Sequence, residues 1–164
     1  MSEIFLSLGS NIIERECWIK KAICKISEFS KIVTVSSFYY TAPEDFSNQP
    51  WFCNIVCHGV TEFNPFELLF KVKEIENTIG FTRPFLNGPR AIDIDILFYD
   101  SLQLSVPGLA IPHPKLDTRM FVLEPLVEVA PNFIHPTFNK SVSDIYKLFK
   151  QSRANEILIE KKAY

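Results

Sequence analysis

From Glu3 to Leu8 apolar side chains alternate with small or polar ones, and Gly9-Ser10-Asn11 then interrupts the pattern. This predicts a short strand running into a turn. Between positions 12 and 29 the apolar residues Ile12, Trp18, Ile19, Ala22, Ile23, Ile26 and Phe29 recur at three- and four-residue steps, the period of an amphipathic helix. Residues 32–40 and 51–60 are rich in Val, Thr, Phe and Tyr, and a loop with Pro43, Asn48 and Pro50 separates them. They predict two strands, paired as antiparallel neighbours. Asn64, Pro65 and Glu67 supply an N-cap, a first-turn proline and an acid at the third position, and Leu68, Leu69, Val72, Ile75 and Ile79 carry one apolar face on to Gly80.

A loop over 81–88, with Pro84, Asn87 and Gly88, precedes a strand over 91–99 that has two acids inside it. Beyond Asp100, prolines at 107, 112, 114, 125 and 131 divide the chain into short pieces with a helix predicted over 125–129. Ser141 and Asp144 cap a last helix to about Lys150, and the polar tail after Gln151 is expected to fray. The order β-α-β-β-α-β predicts an α+β fold: a ferredoxin-like βαββαβ core, with a mainly antiparallel sheet between helical layers and a C-terminal extension.

With 164 residues, 47% of them hydrophobic, the chain suits a single domain over 1–164 that buries one continuous core. Seventeen basic residues against 19 acidic ones leave a net charge of -2 and no basic run that would track a phosphate backbone, which argues against nucleic acid as a partner. No segment approaches the roughly 18 apolar residues of a membrane span, and the first residues lack a basic leader, so a soluble, cytoplasmic protein is expected. Neither Cys17 and Cys24 nor Cys53 and Cys57 have C-x-x-C spacing, and all four are read as reduced packing residues.

The chemistry concentrates in Gly88-Pro89-Arg90-Ala91-Ile92-Asp93-Ile94-Asp95-Ile96-Leu97. A period of two puts Asp93 and Asp95 on one face of a strand, about 6.6 Å apart at Cα for a rise of about 3.3 Å per residue, with the three isoleucines on the other. That arrangement suits Mg ions completed by phosphate oxygens and water. Arg90 beside them presents a planar fork to phosphate. A solvated sheet face is the plain alternative, although Asp is a poor strand residue.

Residues 88–97 resemble the signature of the 6-hydroxymethyl-7,8-dihydropterin pyrophosphokinases, and other matches follow in order along about residues 3–150. They are Leu8-Gly9-Ser10-Asn11, Val35-Ser36-Ser37-Phe38-Tyr39 with Thr41-Ala42-Pro43, Gln49-Pro50 to Asn54, and Ile111-Pro112-His113 with Arg119 and Phe121. The resemblance implies transfer of pyrophosphate from ATP to the pterin hydroxymethyl group in folate biosynthesis. ATP is then co-substrate, with Mg2+, two ions, as cofactor. It makes Asp93 and Asp95 the metal ligands, with Asp95 also reaching the hydroxymethyl group.

It further implies pterin contacts from Gly9, Thr41, Ala42, Pro43, Phe52, Asn54 and Phe121, and ATP contacts from Leu69, Glu76, Arg90, Ile96, His113 and Arg119. Arg83 joins Asp95 and Arg90 as a catalytic candidate on a loop expected to close over the phosphates, together with the loop over 41–49. Asn87 stands where the family commonly has Trp, Phe52 where Tyr is frequent, and Pro114 where an aromatic follows the histidine. The residue types alone allow plainer roles: His113 a loop cap, Glu76 a solvated helix residue, Asn54 an edge partner and Phe121 core. Two rivals remain on the residues: a haloacid-dehalogenase-like phosphatase, disfavoured by Leu97 where Thr or Val is usual, and a non-catalytic ferredoxin-like module. Fusion to, or association with, other folate-pathway enzymes is also compatible with the resemblance.

Overall fold

The computed structural model describes residues 1–42, 50–80, 90–152 and 159–164. The elements run β1 (Ser2–Ser10), α1 (Arg15–Ile26), β2 (Ser30–Val35), β3 (Phe38–Thr41), β4 (Phe52–Thr61), α2 (Pro65–Gly80) and β5 (Asp93–Tyr99). There follow a hairpin of β6 (Leu104–Val106) and β7 (Leu109–Ile111), a 3-10 turn (Leu116–Thr118), α3 (Met120–Val129), β8 (Ile134–His135), β9 (Lys140–Ser141), α4 (Val142–Ser152) and β10 (Ile159–Lys162).

The main sheet has the order β10-β3-β4-β1-β5, with β2 also on β4, and its pairings are antiparallel. This is the expected ferredoxin-like α+β arrangement. Ile4, Leu6 and Leu8 of β1 pack with Ile19 and Ile26 of α1 and Leu68 and Val72 of α2. Phe5 packs on the opposite face with Val56, Phe98, Leu123 and Leu126 of α3, and Val142 of α4. Helices therefore cover both faces of β1, which explains a strand buried from Ile4 to Ser10. Each large apolar side chain so enclosed contributes about 1.5–3 kcal/mol.

The predicted cap of α2 forms as a reciprocal pair. Asn64 Oδ1 accepts from Phe66 and Glu67 N–H at 3.0 and 3.1 Å, and Glu67 Oε2 accepts from Asn64 N–H at 2.9 Å. Ser141 and Asp144 cap α4, with Asp144 N–H donating to Ser141 Oγ at 3.1 Å and the Ser141 hydroxyl donating to Asp144 Oδ2 at 2.8 Å. The first helix starts three residues later than its period suggests, because Glu14 takes a left-handed conformation (φ 62°) ahead of Arg15.

Other expectations need correction. The single strand over 32–40 is two strands on the same edge of β4. They part at Ser36, whose N–H donates to Val56 O at 2.9 Å while its hydroxyl accepts from Val56 N–H at 3.0 Å. The helix placed over 125–129 begins at Met120, with Pro125 inside it. Loss of one intrahelical hydrogen bond at Pro125 is offset by burial of Met120, Val122, Leu123 and Leu126. The tail does not simply fray: β10 adds to the free edge of β3, from Ile159 opposite Thr41 to Lys162 opposite Phe38. Lys161 Nζ lies 3.3 Å from Glu128 Oε2, and Tyr164 stacks on Phe38 at 5.0 Å.

Cys53 and Cys57 are buried, and burial pushes both thiols up to about 12, as packing residues require. Cys17 and Cys24 are also free but exposed, because they fall on the outer side of α1. No helix among the described residues is long and apolar enough to cross a membrane.

Candidate active site

Pairing register, rather than proximity in sequence, assembles the site. Gly9 lies opposite Asn54 of β4 on one side and Asp93 of β5 on the other, while Ser7 lies opposite Asp95. Asn54, Gly9 and Asp93 thus form one row across three strands, and Asp95 follows two residues along on the same face. Ile94 and Ile96 point the other way and are buried, so the predicted partition of the D-x-D strand holds. A Cβ on Gly9 would lie 2.9 Å from Asn54 Oδ1, so the glycine is what leaves room for that side chain.

Asn54, 3% exposed, donates from Nδ2 to Thr41 Oγ1 at 3.0 Å. The backbone of Thr41 is itself paired to Phe52. Ala42 follows on the surface, whereas Pro43 and Arg83 lie outside the described residues, together with Asn87 and most of both loops expected to close. Arg90 Nη2 is 3.1 Å from Asp93 Oδ2, and its guanidinium lies over the Phe52 ring at 5.2 Å. Arg90 therefore connects the acidic pair to the aromatic beside Asn54. At the start of α3, Arg119 lies over Phe121, which is half-buried against the second core.

His113 follows the cis Ile111–Pro112 bond. Its N–H donates to Leu97 O at 3.0 Å, and its Nδ1 accepts from Lys115 N–H at 3.2 Å. A neutral ring so held carries its proton on Nε2, the atom 3.9 Å from Asp95 Oδ2. Burial, and next the charge of Asp93, raise the Asp95 pKa, against the opposing pull of His113, Lys73 and Arg119. Burial likewise lowers the pKa of His113, with Asp95 pulling the other way. The centre thus favours fewer charges than its residue types suggest.

Beside Asp95 opens a cleft of about 370 Å³, lined by Leu69 and Lys73 of α2, Ile94 and Ile96 of β5, Val106 and Gly108–Ala110 of the β6–β7 hairpin, and His113 and Pro114. It gathers the expected Leu69, Ile96 and His113. Glu76 is turned inward instead: its Oε1 accepts from Ile94 N–H at 2.7 Å and from Lys73 Nζ at 2.9 Å, while Lys73 Nζ also donates to Ile94 O at 3.3 Å. The two side chains occupy the open edge of β5 as a neighbouring strand would. Lys73 and the hairpin were not singled out from sequence; a lysine one helical turn past Leu69, and the Pro107-Gly108 turn pair, are the signals that mark them.

Fold and site together define a ferredoxin-like α+β domain whose acidic pair stands between a basic-rimmed cleft and an Asn-lined sheet face. The family model for 7,8-dihydro-6-hydroxymethylpterin-pyrophosphokinase (HPPK) matches residues 5–131. The 2-amino-4-hydroxy-6-hydroxymethyldihydropteridine pyrophosphokinase of Aquifex aeolicus is 41% identical over 144 residues, covering 88% of this chain and 90% of that one. The Bacillus subtilis protein of the same name is 38% identical over 127 residues, 76% of each chain. This chain belongs to the HPPK family.

Some relatives are much longer. The folic acid synthesis protein FOL1 of Dictyostelium discoideum is 39% identical over 136 residues, which span 21% of its length. Plasmodium falciparum HPPK-DHPS, solved with SDX-DHP, shares the fold with a TM-score of 0.72 at 17% identity, over 95% of this chain and 45% of that one.

Proposed function

We propose that this chain transfers the pyrophosphoryl group of Mg-ATP to the hydroxymethyl group of 6-hydroxymethyl-7,8-dihydropterin, releasing AMP. The observation that carries the reading is the placement of Asp93 and Asp95 on one sheet face, between the cleft lined by Leu69, Ile96 and His113 and the row ending at Asn54. Adenosine is assigned to the cleft and the pterin to the face formed by Gly9, Thr41, Ala42, Phe52, Asn54 and Phe121. Pro43 belongs to the same wall by resemblance alone.

The donor set fits magnesium. No group of three metal-binding side chains occurs among the described residues; a pair of carboxylates with hard oxygen donors suits an ion that fills its other positions with water and phosphate. Asp93 and Asp95 would hold two Mg2+ ions, which would neutralise phosphate charge when bound.

Arg90, Arg119 and the Nε2–H of His113 hold the triphosphate and spread the charge that develops on it. Asn54, fixed by Thr41, orients the pterin, and Phe52 and Phe121 keep its faces dry. Positioning of the alcohol in line with the β-phosphorus, rather than a covalent enzyme intermediate, lowers the barrier. The hydroxyl proton leaves to Asp95 or to solvent. Arg83 is assigned a further phosphate contact. The cytoplasm is the proposed location, and the proposed association with other folate enzymes follows the longer relatives, the folic acid synthesis protein and HPPK-DHPS. Incubation with Mg-ATP and the pterin alcohol should release AMP and the pterin diphosphate; release of inorganic phosphate from phosphomonoesters, without need of pterin, would favour a phosphatase and refute the reading.

A further inference from the structure

Asn11 is 0% exposed, and neither the acidic pair nor the cleft accounts for it. It stands one residue beyond β1. Its Oδ1 accepts the backbone N–H of Arg90 at 2.9 Å, its own N–H donates to Arg90 O at 3.3 Å, and its Nδ2 donates to Pro50 O at 3.4 Å. The amide orientation is determined by these partners, because an N–H requires the oxygen and a carbonyl requires the nitrogen. A single buried side chain therefore ties two separate walls to the end of the central strand. One wall is Arg90, whose guanidinium lies on Asp93 and Phe52. The other is Pro50, two residues ahead of Phe52 and four ahead of Asn54.

Resting on the activity proposed above, we infer that Asn11 is a positioning residue that sets the spacing between the phosphate-side Arg90 and the pterin-side start of β4. Its side-chain bonds to Arg90 and to Pro50 serve different substrates. The Oδ1 bond aims Arg90 at the transferring phosphates and affects turnover. The Nδ2 bond steadies the wall that includes Phe52 and Asn54 and affects pterin affinity.

Two substitutions separate the bonds. Asn11→Asp keeps an acceptor for Arg90 N–H and, when ionised, turns an oxygen instead of a donor toward Pro50 O, so the comparison is made at a pH where the protein still melts cooperatively; Asn11→Ala gives up both bonds. Asn11→Ala should melt as a folded protein with kcat reduced about tenfold or more, whereas Asn11→Asp should keep kcat within about threefold and bind the pterin about fivefold more weakly by calorimetry. Wild-type kcat in Asn11→Ala, or equal losses of kcat in both variants, would overturn the inference. If Asn11→Ala does not fold, Asn11→Asp decides alone, since a tenfold fall in its kcat has no place in this scheme. A wild-type protein that forms no AMP sinks the proposed activity instead. Hydrogen exchange at the Arg90 amide then still reads the anchor: faster in Asn11→Ala and unchanged in Asn11→Asp supports it, and unchanged in both refutes it.

Discussion

Replacing Glu76 with Ala removes the acceptor that Ile94 N–H meets at 2.7 Å on the open edge of β5, and takes from Lys73 its partner at 2.9 Å. A buried hydrogen bond to a charged group contributes about 1.5–3 kcal/mol, and the stranded N–H adds its own desolvation. Lys73, 44% exposed, regains water, so its share is small. The expected loss is about 2–4 kcal/mol, or roughly 5–15 °C in Tm for a chain of this size. Glu76→Gln retains an acceptor for Ile94 and should lose no more than about 1 kcal/mol.

The two forms also part with pH. Burial raises the Glu76 pKa above 4.5, so the folded chain holds that proton more tightly than the unfolded chain. This contribution is complete below the unfolded value and is lost as pH rises through the raised one. The advantage of wild type over Glu76→Gln should therefore shrink as pH rises across that window. Melting curves from pH 4 to 8, with Mg-ATP affinity measured alongside, test both points. An Ala variant as stable as wild type but deficient in ATP binding would refute the edge-cover role and favour Glu76 as the nucleotide contact that the family resemblance implies.

Asp95→Ala should lower AMP formation by several orders of magnitude, with Tm unchanged or slightly raised near neutral pH, because the raised pKa marks its ionised form as costly beside Asp93; near-normal turnover in a folded variant would remove the metal assignment. Asn54→Ala should weaken pterin binding about tenfold more than ATP binding, and equal calorimetric affinities would contradict its place in the pterin wall. Ending the chain at Ser152 removes β10, its ion pair to Glu128 and the Tyr164–Phe38 stack; a loss of about 2–3 kcal/mol is expected, and an unchanged Tm would show that β3 needs no edge partner.

Local chemistry made parts of this architecture legible. The Asn64-Pro65-Glu67 start of α2 and the Ser141/Asp144 start of α4 are hydrogen-bonding solutions complete within four residues, so sequence alone specifies them. The shared face of Asp93 and Asp95 follows equally from strand period. Elements decided by distant partners were not readable. Pro125 looks like a helix boundary until α3 buries Met120, Val122 and Leu123 against the sheet, and β10 has no period of its own before β3 offers an edge. The site shows the same division. Asp93 and Asp95 suggest a metal site by residue type and spacing and His113 is marked by the family resemblance alone, whereas Lys73 and Asn11 take their places from Ile94, Arg90 and Pro50, none of which is near them in sequence.

The charges of the site already answer one another before any substrate arrives. Arg90 lies against Asp93 at 3.1 Å and Lys73 against Glu76 at 2.9 Å, while Asp95 is left with a raised pKa and a neutral-leaning His113 at 3.9 Å. A polyphosphate entering alone would bring further negative charge to Asp93 and Asp95, and would find Arg90 committed. Asp93 can release Arg90 at little cost only when another cation takes its charge. Under the proposed assignment, a cation held by Asp93 would take the place of Arg90 beside it and leave the guanidinium to the phosphates, so that metal and nucleotide would favour each other through this single ion pair. This exchange needs Arg90 to turn its fork without losing its place. The double backbone tie to Asn11 meets that requirement, since it holds the Arg90 main chain from both N–H and C=O and leaves the side chain free to change partners.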